Sequence, residues 1–468
     1  MSERLAASFR DPSGFMYVQD GKLLRQVNKT YQEDYEFLFL SGLYEKLTRL
    51  KYLVPHSEVG AVPLEQALSF KVIAPEEIPF ISYPYEWSFS QLKDAALTTL
   101  AIQKEAFKAG MILKDASAYN IQFHQGAPIL IDTLSFAKYI EGSPWVAYRQ
   151  FCQHFLAPLA LMSKTDIRLG KLLINHIDGV PLDLCSRLLP QATRFNFGLL
   201  THIHVHAKAQ SRYADTSTAN GTGQANKSVT VTRNGLTGLI DSLESTVRNL
   251  TLNVSGNDWA DYYTDTNYSD EAFQVKKTIV HDVVHSLQPH TVLDLGANTG
   301  VFSQVAATAP DCFVLSTDID PEAVELNYLQ MKKTQRKNIL PLVLDLTNPS
   351  PAIGWDNCER DAFYTRTHAD VVLALALVHH LAIANNVPLT DIARTMALLG
   401  NNLILEFVPK EDSQVKRLLR SRDDIFDQYT LHGCMETFSP LFELQKQIPV
   451  NGSQRTILVF KRKKMKEE

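Results

Sequence analysis

Cysteine is scarce in this 468-residue chain, and its five copies are scattered. They are Cys152, Cys185, Cys312, Cys358 and Cys434, and none belongs to a CxxC pair. A disulfide framework needs an even number of cysteines at regular spacings, and a zinc site needs closely paired ligands. The pattern argues against both and is typical of a protein from a reducing compartment.

Long apolar runs are also missing. No stretch of 18 apolar residues occurs, and the first residues, MSERLAASFRDPSGF, contain no apolar core of a signal peptide. The formal net charge is only −5, whereas proteins that coat nucleic acid are generally basic. We therefore expect a cytoplasmic protein with neither a membrane nor a nucleic acid as partner.

The length exceeds what one hydrophobic core usually supports, so two domains are expected. The clearest break is AQSRYADTSTANGTGQANKSVTVTRNG, which is nearly free of large apolar groups. Such a segment cannot bury enough surface to offset the entropy of ordering it. We predict an α+β domain over 1–208, a flexible linker over 209–235 and an α/β domain over 236–468.

Strands and helices alternate in the second predicted domain. The apolar stretches TVLDL, CFVLSTD, ILPLVLDL, ADVVLALAL and NNLILEF are separated by helical patterns, and LFELQKQ with RTILVFKR is typical of an antiparallel pair. Strands that are apolar throughout and alternate with helices predict a mostly parallel sheet covered on both faces.

Glycine and carboxylate residues follow these strands where each one ends. In TVLDLGANTG, Gly296 and Gly300 allow a tight turn and close approach of the backbone to a ligand. Asn298 stands where a dinucleotide-binding G-x-G-x-x-G pattern would have its second glycine, which argues against a pyrophosphate ligand. Asp318 ends the next strand, where a carboxylate can accept both ribose hydroxyls, and Asp345 ends the third, within reach of an adenine amine.

These residues resemble the motifs of the class I S-adenosylmethionine-dependent methyltransferases: VLDLGANTG the first motif, STDID the second and VLDL the third. The resemblance covers about 255–462. It implies a seven-stranded Rossmann-like fold with an antiparallel last strand, and S-adenosyl-L-methionine as cofactor. It also implies binding roles for Asp294, Gly296, Ala297, Asn298 and Gly300 (methionine portion), Asp318 (ribose), Ile319, Asp345 and Leu346 (adenine), and Ala374 with Leu375 (inner wall).

Methyl transfer from a sulfonium requires an aligned acceptor and, for a hydroxyl or amine, removal of its proton. His379 and His380 follow the fourth strand, so either could be a general base or orient a substrate hydroxyl; the alternative is a structural histidine that caps the next helix. Glu406 either contacts substrate or caps the loop after it. No NPPY-like tetrapeptide is present, which disfavours amino methylation of bases or glutamine. The aromatic-rich segment 257–277 either closes over the cofactor or packs as a helix on the sheet.

The first predicted domain contains two hairpin patterns, GFMYVQDGKLLRQVN and IQFHQGAPILIDTLSF. SFKVIAP and IPFISYP are typical of strands, and SQLKDAALTTLAIQKEAFKAG is an amphipathic helix that ends at Gly110. A small sheet followed by helices predicts an α+β domain.

A D-x-x-x-x-N pattern joins Asp115 to Asn120 in this domain, and Asp132 follows an apolar strand. Over about 15–200 this resembles the core of the protein-kinase and aminoglycoside-phosphotransferase fold, which implies Asp115 as base and Asn120 with Asp132 as magnesium ligands. The domain departs from that pattern: it lacks a glycine-rich phosphate loop and a VAIK lysine, for which Lys22 and Arg25 are poor substitutes. Phosphotransfer, residual ligand binding and a structural or substrate-presenting role stay open for this degenerate kinase-like domain.

The whole chain also resembles a bacterial family of methyltransferase-like proteins related to a host-specific nodulation protein. FISYPYEWSFSQLKDAALTTL, LKDASAYNIQF, SPWVAYRQFCQHFLAPLAL and PKEDSQVKRLLRSRDDIF carry this resemblance. The sequence thus favours a methyltransferase that acts on an oxygen or nitrogen of a small molecule, glycan or protein. The alternatives are a nucleotide-binding or phosphotransferase-like protein that uses Asp115, Asn120 and Asp132, and a non-enzymatic scaffold that senses the cofactor.

Overall fold

The computed structural model describes residues 2–207, 230–252, 270–420 and 422–464. The chain divides into two compact units. The first unit comprises Met1–Asn253 together with Ala352–Asp361, and the second comprises Val254–Pro351 together with Ala362–Glu468. Each unit is described by itself below.

The first unit begins with an antiparallel sheet in the order β1-β2-β3-β5-β4. Its strands are β1 (Ser2–Arg4), β2 (Gly14–Gln19), β3 (Lys22–Asn28), β4 (His56–Glu58) and β5 (Ser69–Pro75). Two smaller antiparallel pairs follow, in which β6 (Met111–Leu113) pairs with β9 (Phe136–Lys138) and β7 (Ile121–His124) with β8 (Ala127–Leu130). The α-helices are Gln32–Leu40, Leu43–Arg49, Phe89–Lys108, Tyr148–Phe151, Ala157–Lys164, Leu172–Asn175, Leu182–Leu188, Phe197–Leu199 and Arg233–Asn249.

The two predicted hairpins are confirmed. Asp20 and Gly21 connect β2 to β3 with φ of 51° and 76°, and Gln125 and Gly126 connect β7 to β8 with φ of 51° and 78°. Left-handed backbone at both central residues is the type I′ geometry, whose twist matches that of the flanking strands. Local turn chemistry therefore determines both hairpins.

The predicted strand IPFISYP is wrong, because no strand forms between Pro75 and Met111. Its two prolines lack the N–H that a ladder needs. The side chain of Gln122 takes the place of a neighbouring strand: its Oε1 accepts from the Ser82 backbone N–H at 2.8 Å, and its Nε2 donates to the Ser82 carbonyl at 2.9 Å.

The helix Arg233–Asn249 belongs to the first unit, so the predicted domain boundary at residue 236 lies too early. Thr232 caps the helix by accepting from the Gly235 N–H at 3.1 Å, which starts the helix inside the predicted linker. The helix packs along Phe89–Lys108: Lys104 Nζ lies 2.6 Å from Asp241 Oδ1, and the Arg233 guanidinium lies 4.7 Å from the ring centre of Phe107. Residues 208–229, most of the predicted linker, lie outside the described residues.

The second unit contains a sheet in the order β12-β11-β10-β13-β14-β16-β15. The strands are β10 (Thr291–Leu295), β11 (Phe313–Asp318), β12 (Ile339–Val343), β13 (Ala369–Ala374), β14 (Gly400–Phe407), β15 (Phe442–Pro449) and β16 (Thr456–Arg462). β10 to β14 pair in parallel, whereas β16 runs antiparallel to β14 and β15. The predicted mixed α/β fold with a mostly parallel sheet is confirmed.

Helices connect these strands and bury the apolar sheet. They are Asp270–Leu287, Val301–Ala306, Pro321–Thr334, Leu389–Leu399, Ser413–Leu419 and Leu431–Phe438, with a π-helical turn at His380–Ala384. Val280 and Val284 of the first of these helices join Val292, Val314 and Val371 of the strands in one buried cluster. Among the described residues, no helix is both long and apolar enough to cross a membrane.

The strand order places a switch point between β10 and β13. The chain moves from β10 to β11 and β12 on one side, then returns to β13 on the other side of β10. Connections diverge at such a point and leave a crevice at the carboxyl ends of the strands, where open α/β sheets bind ligands. We therefore expect a ligand site at the residues that follow β10 and β13.

Candidate functional site

The loop after β10 turns sharply through left-handed backbone. Gly296, Asn298 and Gly300 have φ of 70°, 51° and 80°. A Cβ on Gly296 would lie 3.2 Å from Leu377 Cδ1, and one on Gly300 would lie 2.4 Å from Asn327 Oδ1. Glycine is thus required at both ends of the loop, which brings its backbone to the edge of the sheet.

Asp318 holds this loop against the end of β11. Its Oδ2 accepts from the backbone N–H of Asn298 at 2.7 Å, and its Oδ1 accepts from that of Asp320 at 2.9 Å. Burial raises the pKa of Asp318, and the two backbone hydrogen bonds oppose that rise. Each carboxylate oxygen can accept a second hydrogen bond, so the pair can still receive two hydroxyl groups of a ligand.

Asp294 lies beneath the loop. The residue is buried, and its Oδ2 accepts from the Ser303 hydroxyl at 2.6 Å, while Thr317 Oγ1 donates to the Asp294 carbonyl at 3.0 Å. Burial raises the pKa of Asp294 to about 6. The geometry gives this carboxyl a part in holding the loop, and Ala297 completes the turn by donating its N–H to the Thr317 carbonyl at 2.9 Å.

The residues predicted to face adenine lie at the next two strand ends. Ile319 follows β11 with 58% of its surface exposed. Asp345 Oδ1 accepts from the Thr347 N–H at 2.8 Å and from its hydroxyl at 2.6 Å, and Leu346 is half-buried. The structure thus brings all three residues to the edge of the sheet that carries Asp318.

The chain after β13 completes the crevice. Ala374 and Leu375 are buried, and Ala376 has a φ of 52°, an uncommon value for a residue with a Cβ. A tight turn of this kind leads directly into His379 and His380, whose rings lie 4.2 Å apart. Strained backbone of this kind clusters at ligand sites.

The two histidines differ in burial. His379 is buried, and its Nδ1 has no hydrogen-bond partner in the part of the chain that is described. Burial lowers the pKa of His379 well below its usual value, and His380, Arg455 and Lys276 lower it further. His380 keeps part of its surface exposed, and burial lowers its pKa as well. Both rings are therefore neutral at pH 7.

Four buried charges form a network beside these histidines. Glu406 lies near the end of β14. Its Oε2 is 2.5 Å from Lys276 Nζ, and its Oε1 is 3.3 Å from Arg455 Nη1. Arg455 Nε also lies 2.8 Å from Asp412 Oδ2. The Glu406 carboxylate is buried and paired with both cations, and Arg455 links it to Asp412 in the loop after β14. The predicted contact of Glu406 with substrate stays a prediction.

Sequence reasoning missed Lys276 and Arg455. Lys276 occurs in an amphipathic helix, where a lysine usually faces water, and Arg455 occurs in a polar turn before β16. Their partner Glu406 is distant in sequence from both. The only available signal was the unusual carboxylate in the apolar strand NNLILEF, which needs a buried cation. The aromatic residues 257–269 lie outside the described residues.

The first unit brings Asp115, Asn120 and Asp132 together: burial and the charge of Asp132 raise the pKa of Asp115, and a hydrogen bond with the Asn120 side chain lowers it. Ser135 donates its hydroxyl to Asp132 Oδ2 at 2.8 Å and accepts from Asn120 Nδ2 at 3.3 Å. Asp115 Oδ1 accepts from Gln150 Nε2 at 2.7 Å. The sequence thus identified three residues that do form one cluster.

Comparison with known proteins identifies one relative over nearly the whole chain. The chain is 36% identical over 463 residues to the nodulation protein NoeA of Rhizobium meliloti strain 1021, a match that covers 98% of this chain and 96% of that protein. No family model matches the sequence.

Solved structures show weaker likeness. The bifunctional kinase-methyltransferase WbdD is 13% identical, with 44% of this chain and 42% of that chain covered and a TM-score of 0.31. The N-methyltransferase NodS from Bradyrhizobium japonicum WM9 is 12% identical, with 42% and 99% covered and a TM-score of 0.30. Magnesium protoporphyrin IX methyltransferase from Synechocystis PCC 6803 is 16% identical, with 45% and 93% covered and a TM-score of 0.28. At these TM-scores the likeness carries no functional conclusion.

Proposed function

The chain belongs to the family of the nodulation protein NoeA, and on that premise we propose that it is an S-adenosylmethionine-dependent methyltransferase. Its second unit would bind the cofactor at the carboxyl ends of β10, β11 and β12. The acceptor would be an oxygen or nitrogen atom of a small molecule, glycan or protein. The fold, the geometry of the strand ends and the motif resemblance support this proposal.

One observation carries the proposal most directly: the hydrogen bond from the Asn298 N–H to Asp318 Oδ2 at 2.7 Å. It joins the glycine loop after β10 to the carboxylate at the end of β11. A nucleoside ligand needs such an arrangement, because the loop backbone approaches one part of the ligand while the carboxylate receives the ribose hydroxyls. Asn298, which does not fit a pyrophosphate loop, here supplies the backbone N–H that fixes the carboxylate.

The residues of the site fit the cofactor. Asp318 would receive the two ribose hydroxyls, the exposed face of Ile319 would cover adenine, and the backbone of Gly296–Gly300 would border the methionine portion. The bound cofactor supplies an electrophilic methyl group on a sulfonium. The protein therefore has to position the acceptor atom and take up its proton.

His380 is the better candidate for the proton acceptor. A general base works best when its pKa lies near the working pH and it can reach its substrate. His379 is buried, and three neighbouring groups depress its pKa further, so it is a weak base. His380 is partly exposed beside it, at a ring distance of 4.2 Å. We assign proton transfer to His380 and its orientation to His379.

Cofactor binding is tested by calorimetry with S-adenosylhomocysteine. Asp318→Ala should weaken binding by at least about tenfold, which corresponds to ~1.4 kcal/mol, because two hydrogen bonds to ribose are lost. Asp311→Asn is the matched control, since Asp311 is exposed in the turn before β11 with a φ of 50° that asparagine tolerates. Failure of the wild-type protein to bind the nucleoside would refute the proposal.

The histidines are tested by turnover with labelled S-adenosylmethionine and cell extract. His380→Ala should lose about 10²–10⁴-fold in methyl transfer, the usual contribution of a general base, with cofactor affinity unchanged. His380→Gln should be equally slow, because glutamine fills the space without accepting a proton. Full activity in both variants would exclude His380 as the base while leaving cofactor binding intact.

A further inference from the structure

A cation already lies against the aspartate that the kinase resemblance assigns to magnesium. Arg25, in the middle of β3, places Nη1 2.5 Å from Asp132 Oδ1. The same Oδ1 accepts from the Leu134 N–H at 2.9 Å, and Oδ2 accepts from Ser135. The Asp132 carboxylate is thus surrounded by protein donors.

Among the nearby basic residues, Arg25 is the one that pairs with Asp132. Only 10% of its side chain is exposed, and it also lies 3.8 Å from Asp11 Oδ2. Lys22 is exposed at the start of β3. Lys114 instead donates to the Ser13 hydroxyl at 2.7 Å and lies 4.5 Å from the ring centre of Tyr31.

The charge state of Asp132 agrees with this pairing. Burial opposes ionisation of the carboxyl, but Arg25 and the hydrogen bonds from Ser135 and Leu134 outweigh it and lower the pKa of Asp132. Asp115 behaves differently: burial and the charge of Asp132 raise its pKa. One anion in the cluster therefore has a cationic partner, and the other is held by neutral donors such as Gln150.

We propose that the Arg25 guanidinium occupies the place of a divalent metal ion, so that the first unit holds its Asp115–Asn120–Asp132 cluster together without metal and does not transfer phosphate. A guanidinium neutralises a carboxylate and fills its lone pairs with N–H groups. It has no free coordination positions, however, and cannot bridge the oxygens of two phosphates as Mg²⁺ does. The residues present thus do not fit the metal that the resemblance implies.

The proposal predicts that removing the guanidinium uncovers a metal site. In Arg25→Met the Asp132 carboxylate loses its cationic partner, and a divalent ion becomes the best available replacement. Manganese is a suitable probe, because its paramagnetism allows bound and free ions to be counted by electron paramagnetic resonance. The wild-type full-length chain should not bind Mn²⁺ at this cluster.

Four variants make the test decisive. Arg25→Met should bind Mn²⁺ at least about tenfold more tightly than the wild type, and Arg25→Lys, which keeps a cation, should not. Arg25→Met combined with Asp132→Asn should lose the gained affinity. Wild-type binding that Asp132→Asn abolishes would overturn the proposal, and so would a folded Arg25→Met variant that gains no affinity.

A second measurement covers the case in which Arg25→Met folds poorly. Its thermal stability should then rise with added Mn²⁺, and the Arg25→Met and Asp132→Asn double variant should be more stable than Arg25→Met without any metal, because no unpaired charge is left. Loss of stability that neither Mn²⁺ nor the second substitution relieves would contradict the proposal. Neither result depends on the methyltransferase site, which nucleoside calorimetry tests separately.

Discussion

Single residues determine the shape of the loop after β10. Gly300 has a φ of 80°, and the space that a Cβ would need is filled by the amide of Asn327. That amide is itself fixed, since Asn327 Nδ2 donates to the Ser316 hydroxyl at 2.8 Å inside the sheet. The loop therefore cannot widen to admit a larger residue at position 300.

Gly300→Ala should destabilise the protein by about 1–2 kcal/mol from its left-handed backbone alone, with a further cost from the contact with Asn327. It should also weaken binding of S-adenosylhomocysteine. Gly238→Ala is the control: Gly238 lies inside the helix Arg233–Asn249 with no atom near its Cβ position, so alanine should stabilise by about 0.5–1 kcal/mol. Urea denaturation measures both, and equal effects would contradict the loop geometry.

Buried neutral histidines make the first unit sensitive to acid. His202 Nδ1 lies 2.8 Å from the Tyr148 hydroxyl and Nε2 lies 2.9 Å from the Ser242 hydroxyl. Burial, with a smaller effect of His206, lowers the pKa of His202 to about 4. Protonation therefore costs folding free energy.

Stability should fall as the pH drops from the unfolded-state pKa near 6.5 towards 4, by about 1.4 kcal/mol per pH unit for His202. The sign follows because the unfolded chain takes up a proton in this range and the folded chain does not. His202→Asn should reduce the slope of stability against pH, measured by urea denaturation. His432→Gln should leave it unchanged, because His432 is largely exposed; an unchanged slope in His202→Asn would disprove the assignment.

At the residue scale, the sequence could predict which side chains end the strands but not what each one contacts. Asp318 is the last residue of β11 and Asp345 follows β12 by two residues, and both could be predicted because the end of an apolar run is a local signal. Arg25 was considered only as a weak substitute for a catalytic lysine. Its contact with Asp132 joins residues more than a hundred positions apart, and no local pattern encodes that distance.

In the second unit, the buried ion pairs of Glu406 connect one helix, one strand and one turn. Lys276 belongs to the helix Asp270–Leu287, Glu406 to β14, and Arg455 to the turn before β16. Because the two cations contact different oxygens of one carboxylate, Glu406 fixes the helix and the turn relative to the same strand. The network thereby supports the strand end next to His379.

Lys276→Met should destabilise the protein by about 3 kcal/mol, the lower end of the range for breaking a buried ion pair, because Arg455 still faces Glu406. Lys410→Met is the matched control: Lys410 pairs with Asp424 at the surface and should cost less than about 1 kcal/mol. Adding Glu406→Gln to Lys276→Met should cost less than the sum of the single effects. Additive losses in chemical denaturation would mean that the two side chains do not interact.

The order and type of most elements followed from the sequence, because their periodicities are local. IPFISYP failed for one local and one distant reason: its two prolines lack an N–H, and the backbone of Ser82 pairs with the side chain of Gln122. The place of the helix Arg233–Asn249 in the first unit depends on contacts with Lys104 and Phe107, which the composition of the linker does not reveal.

The whole chain is divided unevenly between its two units. The segment Ala352–Asp361 follows β12 in sequence yet belongs to the first unit. Glu359 forms two contacts with Arg10, at 2.6 Å to Nε and 2.9 Å to Nη2, and the Asp361 N–H donates to the Tyr83 hydroxyl at 2.9 Å. Arg360 lies 4.4 Å from the ring centre of Tyr119.

Glu359→Gln should destabilise the first unit by about 1–2 kcal/mol, because the buried Glu359 loses its charge-assisted hydrogen bonds to the half-exposed Arg10. Asp178→Asn is a close control: Asp178 contacts the same Arg10, but its side chain is 80% exposed against 2% for Glu359. Hydrogen exchange in β7 and β8 should accelerate in Glu359→Gln and hardly change in Asp178→Asn, with β10 and β11 as reference. Equal exchange in the two variants would show that the segment does not stabilise this unit.

The position of Ala352–Asp361 also sets an order of events during synthesis. Domains usually fold as they leave the ribosome, with the amino-terminal one first. Here Arg10 and Tyr83 emerge early, but Glu359 and Asp361 emerge only after β10, β11 and β12 have been made. At about 5–20 residues per second, the roughly 100 intervening residues delay completion of the first unit by ~5–20 s. In the nascent chain the first unit therefore lacks Ala352–Asp361 until β10, β11 and β12 of the second unit have been synthesised.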